Sequence, residues 1–213
     1  MLVSVSRTPL SPTPRTLVNR HRERGQTDRA ALDDVLDSAL ICHLGVLYDG
    51  QPVVLPTGYG RDGDTLYIHG SSGAKSLRPG PVCVTVTIVD GIVYARSVFH
   101  HSMNYRSAVV LGTTRLVDDP DEKTHALAVV TEHLAPGSWD HARLPTKKEL
   151  AATNVLALDL TEASVKVRNA PPSDDDEDVE ANTAWAGVLP LTMEWGVPES
   201  ASTLPVPEHV LKR

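Results

Sequence analysis

Aromatic side chains are scarce in this chain of 213 residues, at 4% with a single Phe, so each Trp or Tyr is worth placing. Cysteine is scarcer still. Cys42 and Cys83 lie in apolar runs without C-x-x-C spacing, which reads as two buried thiols rather than a redox or zinc motif. No apolar run approaches the ~20 residues of a membrane helix, which argues against a membrane partner. The N-terminus has no apolar stretch of signal-peptide length, which makes the cytoplasm the expected location. Positive charge is also lacking. A net charge of -7 argues against a nucleic-acid partner, which would need a basic face for phosphates. The nine histidines show no H-x-x-x-H or H-E-x-x-H spacing, so no metal site is expected. No G-x-S-x-G elbow supports a Ser-His-Asp mechanism.

What is present suits one domain, with hydrophobic residues at 41%. Residues 1–26, with Pro9, Pro12 and Pro14 among several arginines, read as an extended arm. Thr27 or Asp28 can cap a helix to about Ser38, with Leu32, Val35 and Leu36 on one face. Short β-rich runs follow, punctuated by Asp49-Gly50, Asp62-Gly63 and Asp90-Gly91. Asp-Gly is a strong hairpin signal, so these predict antiparallel neighbours. PVCVTVTIV alternates cleanly, with Val82, Val84, Val86 and Ile88 on one face, as in a closed meander. Residues 105–117 predict a long strand bent at Gly112. Residues 119–134 predict a helix with Pro120 in its first turn, and 146–152 a second. Two strands, NVLALDL and SVKVRNA, come next. The acidic stretch 170–182 reads as a mobile loop, and 197–213 as a surface tail, leaving a main domain at 27–196.

The segment LYIHGSSGAKSLRPG could carry chemistry. A strand runs into Gly70, Ser71, Ser72 and Gly73, after which AKSL can start a helix. Glycines, hydroxyls, a helix N-terminus and Lys75 together would make an anion site, and phosphate is the usual anion. A plain polar strand-to-helix turn is the other reading of the same residues. Pro52 and Pro56 in the preceding strand belong at an edge, a bulge, or a place where a ligand replaces a partner strand. Trp185 and Trp195 flank a late apolar segment that could cover a cofactor or join the core.

These residues, in order, resemble a known family. P-T-x-R-T, then D-G-Q-P-V-V-L-P-T-x-Y-G-R-D-G-D-T-L-Y-I-H-G-S-S-G-A-K, then N-Y-R-S-A-V-V-L-G, V-K-V-R and W-A-G-V-L-P-L are similar to the pyridoxamine 5′-phosphate oxidase-related superfamily. The nearer branch is that of flavin-nucleotide-binding, nitroimidazole-resistance-reductase-like proteins, and the likeness spans about residues 15–196. It implies a mainly β (α+β) fold, an antiparallel split β-barrel with a few peripheral helices. It also implies a homodimer with FMN in clefts at the interface. Carried over, Val54, Pro56 and Thr57 offer backbone groups to the flavin, and His69, Gly70, Ser71, Ser72 and Lys75 meet the ribityl and phosphate. Asn104, Tyr105 and Arg106 approach the flavin or the partner subunit, and Trp185 lies near the ring. The chain departs from true pyridoxamine phosphate oxidases at Pro52 and Thr57, where they place basic residues. It also lacks their Arg-rich C-terminal motif, since Ala186 and Gly187 follow Trp185, so vitamin B6 oxidation is not implied.

The expected function is an FMN-dependent oxidoreductase reducing a small organic substrate, nitroaromatic- or quinone-like, with a nicotinamide donor. The substrate would lie near Tyr94, Arg96, His100 or Tyr105, and no general acid is named. Two alternatives are a non-catalytic flavin storage or sensing protein, and a haem-binding or haem-degrading barrel with His69, His100 or His101 on the iron. A deazaflavin in place of FMN stays open.

Overall fold

The computed structural model describes residues 9–10 and 13–213. In chain order the elements are β1 (Gly25–Gln26), α1 (Arg29–Ser38), β2 (Ile41–Tyr48), β3 (Gln51–Asp62), β4 (Thr65–Ser71), β5 (Gly80–Tyr94), β6 (Ser102–Leu116), α2 (Pro120–Leu134), α3 (Ser138–His141), α4 (Lys147–Ala151), β7 (Thr153–Asp159), β8 (Ala163–Arg168), α5 (Asp176–Ala181), β9 (Gly187–Pro190) and α6 (Glu208–Leu211). The sheet runs β1-β8-β6-β7-β4-β3-β2-β5-β9, and a further β5–β6 pairing closes six of the strands into an antiparallel barrel. This is the split barrel that the sequence predicts.

Alternation along the strands decides which side chains fill it. Val82, Val84 and Val86 of β5 point inward with Leu44 of β2, Leu66 and Ile68 of β4 and Val110 of β6. Helix α1 adds Leu32, Val35 and Leu36 to this core, and Asp28 caps it by accepting from the Ala30 amide at 3.0 Å. Tyr59 is fully buried and donates its hydroxyl to the Leu36 carbonyl. A second cluster sits outside the barrel, where α2 lays Ala126, Leu127 and Val130 over Tyr67, Val155 and Ala157. Gly60 permits that approach: a Cβ there would lie 2.7 Å from the Val129 carbonyl oxygen. Cys42 is buried, which pushes its thiol up to about 12, and both cysteines are free.

Asp90-Gly91 is not a hairpin turn. Strand β5 passes through it with a bulge between Val89 and Gly91, and the connection to β6 comes after Tyr94. Gly91 serves a neighbour: β9 pairs alongside, and a Cβ would sit 2.9 Å from the Leu189 carbonyl oxygen. Asp62-Gly63 makes its turn one residue later, at Gly63-Asp64, with Gly63 at φ 55. Gly112 leaves β6 unbroken and makes room for Leu158.

The three flanking segments are tied to the domain. Residues 1–8 and 11–12 of the expected N-terminal arm, Pro12 among them, lie outside the described residues. The rest packs down: Leu10 is buried, its amide bonds the Thr27 carbonyl at 2.8 Å, and β1 pairs with β8. The acidic stretch carries α5, and Asp174 accepts from the Arg96 amide at 2.7 Å and pairs with its guanidinium at 2.9 Å. The C-terminal tail returns to the helices, where His209 lies against Gly137. Among the described residues no helix is long and apolar enough to cross a membrane.

A candidate cofactor-binding split

The barrel takes its gap from one interrupted ladder. Strands β3 and β4 pair from Asp62↔Thr65 to Tyr59↔Ile68 and then part, although β3 continues beside β2 back to Gln51. Continued, the register would set Pro56 opposite Ser71, and Pro56 has no N–H to give. Beyond that point β4 keeps β7 on its other side, through His69↔Val155 and Ser71↔Thr153.

The β2–β3 hairpin fixes what faces the gap. Asp49 and Gly50 form its two-residue turn, at φ 48 and 77, so Tyr48 and Gln51 are the first hydrogen-bonded pair. Counting in twos, Val53, Leu55 and Thr57 spend their backbone groups on β2, while Pro52, Val54 and Pro56 turn theirs to the gap. Between the two prolines, Val54 is therefore the one backbone donor of β3, with carbonyls on either side. Of the backbone contacts expected from the sequence, those of Val54 and Pro56 face the split, and that of Thr57 faces β2. Val54 and Pro56 lie on the outer face of the sheet, exposed, as do His69 and Ser71 across the gap.

The loop after β4 offers less backbone than expected. AKSL forms turns, not a helix: the Ala74 amide bonds the Ser71 carbonyl and the Leu77 amide the Ala74 carbonyl. Pro79 holds Arg78 away from helical geometry, so no helix N-terminus is made. The Ser72 amide is committed to the Ala152 carbonyl and the Gly73 amide to Ser71 Oγ. What the loop can present to an anion is then hydroxyls and cations. Gly70 is where Leu77 folds against the strand, in the space a Cβ would need. Lys75 places Nζ 2.5 Å from the Tyr48 hydroxyl and 5.0 Å from the centre of that ring. Crowding around His69 holds its imidazole below the ordinary histidine range, so it is neutral at pH 7.

The remaining predicted residues lie on an arm made by the far halves of β5 and β6 with β9. Asn104 is buried and accepts from Arg168 and from the Ala170 amide. Arg106 grips Asp90 through Nε and Nη2 at 3.1 and 3.0 Å and reaches Asp34 of α1 at 3.0 Å. Tyr105 is half-buried, opposite Val89 and Arg168. Trp185 is exposed, its ring 5.7 Å from Tyr94, which stands 5.7 Å from His101. Within one chain, then, the expected set falls into two groups: Val54 to Lys75 at the split, and Asn104 to Trp185 on the arm. The arm shows an apolar outer face in which Met103, Ile92 and Leu189 are register neighbours, all exposed. Val98 and Phe99 extend it, at 86% and 88% exposure.

Two residues escaped the sequence reading. His43 stands exposed on the outer face of β2 opposite Pro56, on the polar side of an alternation that ICHLGVLY does display. Arg78 follows the glycine-serine stretch and lines a pocket with Lys75 and Tyr48. No motif marks it. Among the described residues, no group of three or more His, Cys, Asp or Glu is placed to hold a metal ion.

Comparison with known proteins agrees with this geometry. The family described as pyridoxamine 5′-phosphate oxidase matches residues 28–167. The structure of the flavocytochrome Anf3 from Azotobacter vinelandii is similar over 96% of this chain and 98% of its own, at 37% identity and TM-score 0.88. The FAD and haem binding protein from Mycobacterium smegmatis is 41% identical over 89% of this chain and 96% of its own, at TM-score 0.84. A Bacteroides thetaiotaomicron structure of the 5-nitroimidazole antibiotic resistance type shares the fold, at 24% identity, TM-score 0.58, and 67% and 86% coverage. No curated protein matches the chain.

Proposed function

This chain belongs to the pyridoxamine 5′-phosphate oxidase family of split-barrel proteins, and from that premise we propose that it binds a flavin nucleotide in the split and acts with haem as a cytoplasmic redox protein. The interrupted β3–β4 ladder carries the reading. A flat ring with alternating donors and acceptors fits an edge where one N–H, that of Val54, stands between carbonyls. Ser71, Ser72 and Lys75 then lie where a phosphate would follow. The two relatives of 37% and 41% identity support the pairing of flavin with haem.

When bound, the flavin supplies hydride and single-electron transfer. The residues of this chain bind, orient and shield. Val54 and Pro56 fix the ring edge, the hydroxyls and Lys75 hold the phosphate, and the apolar arm of a second copy covers the open side. That gives the homodimer its part, and brings Trp185 and Tyr105 to the ring from the partner. A small organic acceptor and a nicotinamide donor would enter over the exposed ring face.

Three imidazoles were candidates for the iron. His101 accepts the Ala95 amide on Nδ1 at 3.1 Å, which leaves Nε2 protonated. His100 shares Nε2 with Asp175 at 3.2 Å. His69 is neutral, and its ring makes no hydrogen bond among the described residues. It suits an axial ligand best.

One spectrum of the purified protein, before and after reconstitution with flavin and haemin, tests this. A visible flavin band together with a Soret band is expected, and His69→Ala should lose the Soret band while keeping flavin. Loss of flavin alone in that variant would return His69 to the flavin site, and a wild type taking up neither group would end the reading. Anaerobic bleaching by NADH or NADPH separates an enzyme from a carrier.

A further inference from the structure

In a chain of net charge -7, nearly every well-placed arginine meets a carboxylate: Arg15, Arg29, Arg61, Arg96, Arg106, Arg115 and Arg143 all do. Arg168, the last residue of β8, does not. It is 8% exposed and makes no ion pair among the described residues. Its partners are neutral: Nη1 donates to Asn104 Oδ1 and to the Ala170 carbonyl, and Nη2 donates to the Pro171 carbonyl. Burial and the neighbouring charge of Arg24 hold the guanidinium below its ordinary range, and no carboxylate offsets them. A buried cation left uncancelled is costly, and an anion beside it would remove that cost.

The surroundings repeat the pattern. Ala163 and Val165 of β8, Ala108 and Val110 of β6 and Val84 and Val86 of β5 fill the barrel, so the residues between them face outward. Register sets two rows across these strands on the outer face, Val89–Tyr105–Arg168 and Thr87–Ser107–Lys166. The rows hold two cations and three hydroxyls, and no carboxylate. Lys166 has no ion pair among the described residues, and Arg24, from the turn before β1, has only a loose one to Glu23 at 3.7 Å. Three bonds fix the Arg168 guanidinium in place. Nε and one N–H of Nη2 remain, the edge that can take both oxygens of a carboxylate in parallel. Tyr105 stands directly opposite, half-buried, with its hydroxyl unbonded among the described residues and able to donate to the same anion.

Resting on the flavin reading above, in which the arm of a second copy brings Tyr105 to the ring, we infer that Arg168 and Tyr105 form a carboxylate site, and that the molecule reduced at the flavin is a small organic acid. Two N–H groups of Arg168 hold its carboxylate, and Arg24 and Lys166 raise the positive potential around it. The reducible end of the molecule is then left to face the ring. A neutral molecule of the same shape would leave the guanidinium uncancelled. On an acidic chain the patch also selects, because an organic anion is repelled elsewhere and drawn here.

Benzoate and benzamide, alike in shape and different in charge, test this by calorimetry on the full protein before and after loading with flavin. Wild type should bind benzoate about tenfold or more tightly than benzamide. Arg168→Gln should weaken benzoate about ten- to hundredfold, as for one lost charge-assisted contact, and leave benzamide within about twofold. Arg168 also braces residues 170 and 171, so Tyr105→Phe and Arg24→Gln, which spare those bonds, should each weaken benzoate severalfold. Benzoate should also shift the visible flavin band of the loaded protein. Equal binding of the two probes, or benzoate binding unchanged in all three variants, would overturn the site. Benzoate bound with the flavin band unmoved would overturn its place at the ring. An Arg168→Gln protein that loses haemin uptake but keeps benzoate would give the guanidinium to a haem propionate, and so overturn it too. Benzoate bound through Arg168 by a protein that takes up no flavin would leave the carboxylate site standing and remove the flavin reading instead.

Discussion

The split and the arm are both uncovered, and for opposite reasons. At the split the chain leaves hydrogen-bonding backbone without a strand to meet it, because the β3–β4 ladder stops at Tyr59↔Ile68. On the arm the strands are paired, β9 on β5 and β5 on β6, but Ile92, Met103 and Leu189 stay in solvent. One surface needs a polar, planar occupant and the other an apolar one. A contiguous apolar face on an otherwise acidic molecule marks an interaction site. Two copies with arm laid over split would satisfy both, and a flavin between them would fill the polar edge.

The comparison breaks most severely if the arm is charged. Ile92→Glu with Met103→Glu should abolish the dimer, since burying unpaired carboxylates at an interface costs several kcal/mol. Flavin retention should fall with it, while the monomer stays folded. Light scattering with circular dichroism reads both, and an intact dimer would show that the arm faces solvent. Gly91→Val comes next. Its side chain meets the Leu189 carbonyl and displaces β9, at roughly 1–3 kcal/mol of stability, and the emission of Trp185, whose ring lies 5.7 Å from Tyr94, should change. Unchanged emission would detach Trp185 from β9.

Val54→Pro sharpens the other side. It removes the lone donor between the prolines without touching the β2 ladder, so flavin affinity should drop by about 0.5–1.5 kcal/mol with the melting temperature nearly unchanged. A large loss of stability would mean the hairpin register is shifted by one. The smallest effect near neutrality is that of pH. Crowding by neighbouring atoms lowers the pKa of the exposed His69, so below about 6.5 the unfolded chain takes up that proton first and stability declines as pH falls. Glu122, Glu132, Glu149 and Glu162 are held below the usual carboxylate range by arginine, hydroxyl or backbone donors, Glu149 to about 2. Their contribution is present above about 4.5 and lost as pH drops further. Melting curves at pH 7, 5.5 and 4 should therefore fall in order, and a rise on acidification would contradict both shifts.

Local signals were easy to read and distant ones were not. The cap at Thr27 or Asp28 announced α1 and Pro120 in its first turn announced α2, because a start signal and its helix are neighbours in sequence, whereas the caps at Asp119 and Thr146 were seen only in the structure. Asp49-Gly50 announced a hairpin for the same reason. Asp90-Gly91 misled, since the glycine answers to β9, nearly a hundred residues away. The AKSL helix failed against a proline beyond the window of its pattern. The split was visible only as two prolines, because a missing pairing depends on a strand elsewhere. Arg78 was invisible. Its place beside Lys75 and Tyr48 is set by the fold, and no motif records that.

The prolines flanking Val54 have one more consequence. An open strand edge ordinarily invites the backbone of another molecule to add itself, which is a route to aggregation. Here an incoming strand would find only one donor over five residues, from Pro52 to Pro56, and could not form a ladder. The edge is thus closed to peptide and open to a small flat molecule. The chain can keep an empty site without becoming sticky while it waits for its ligand.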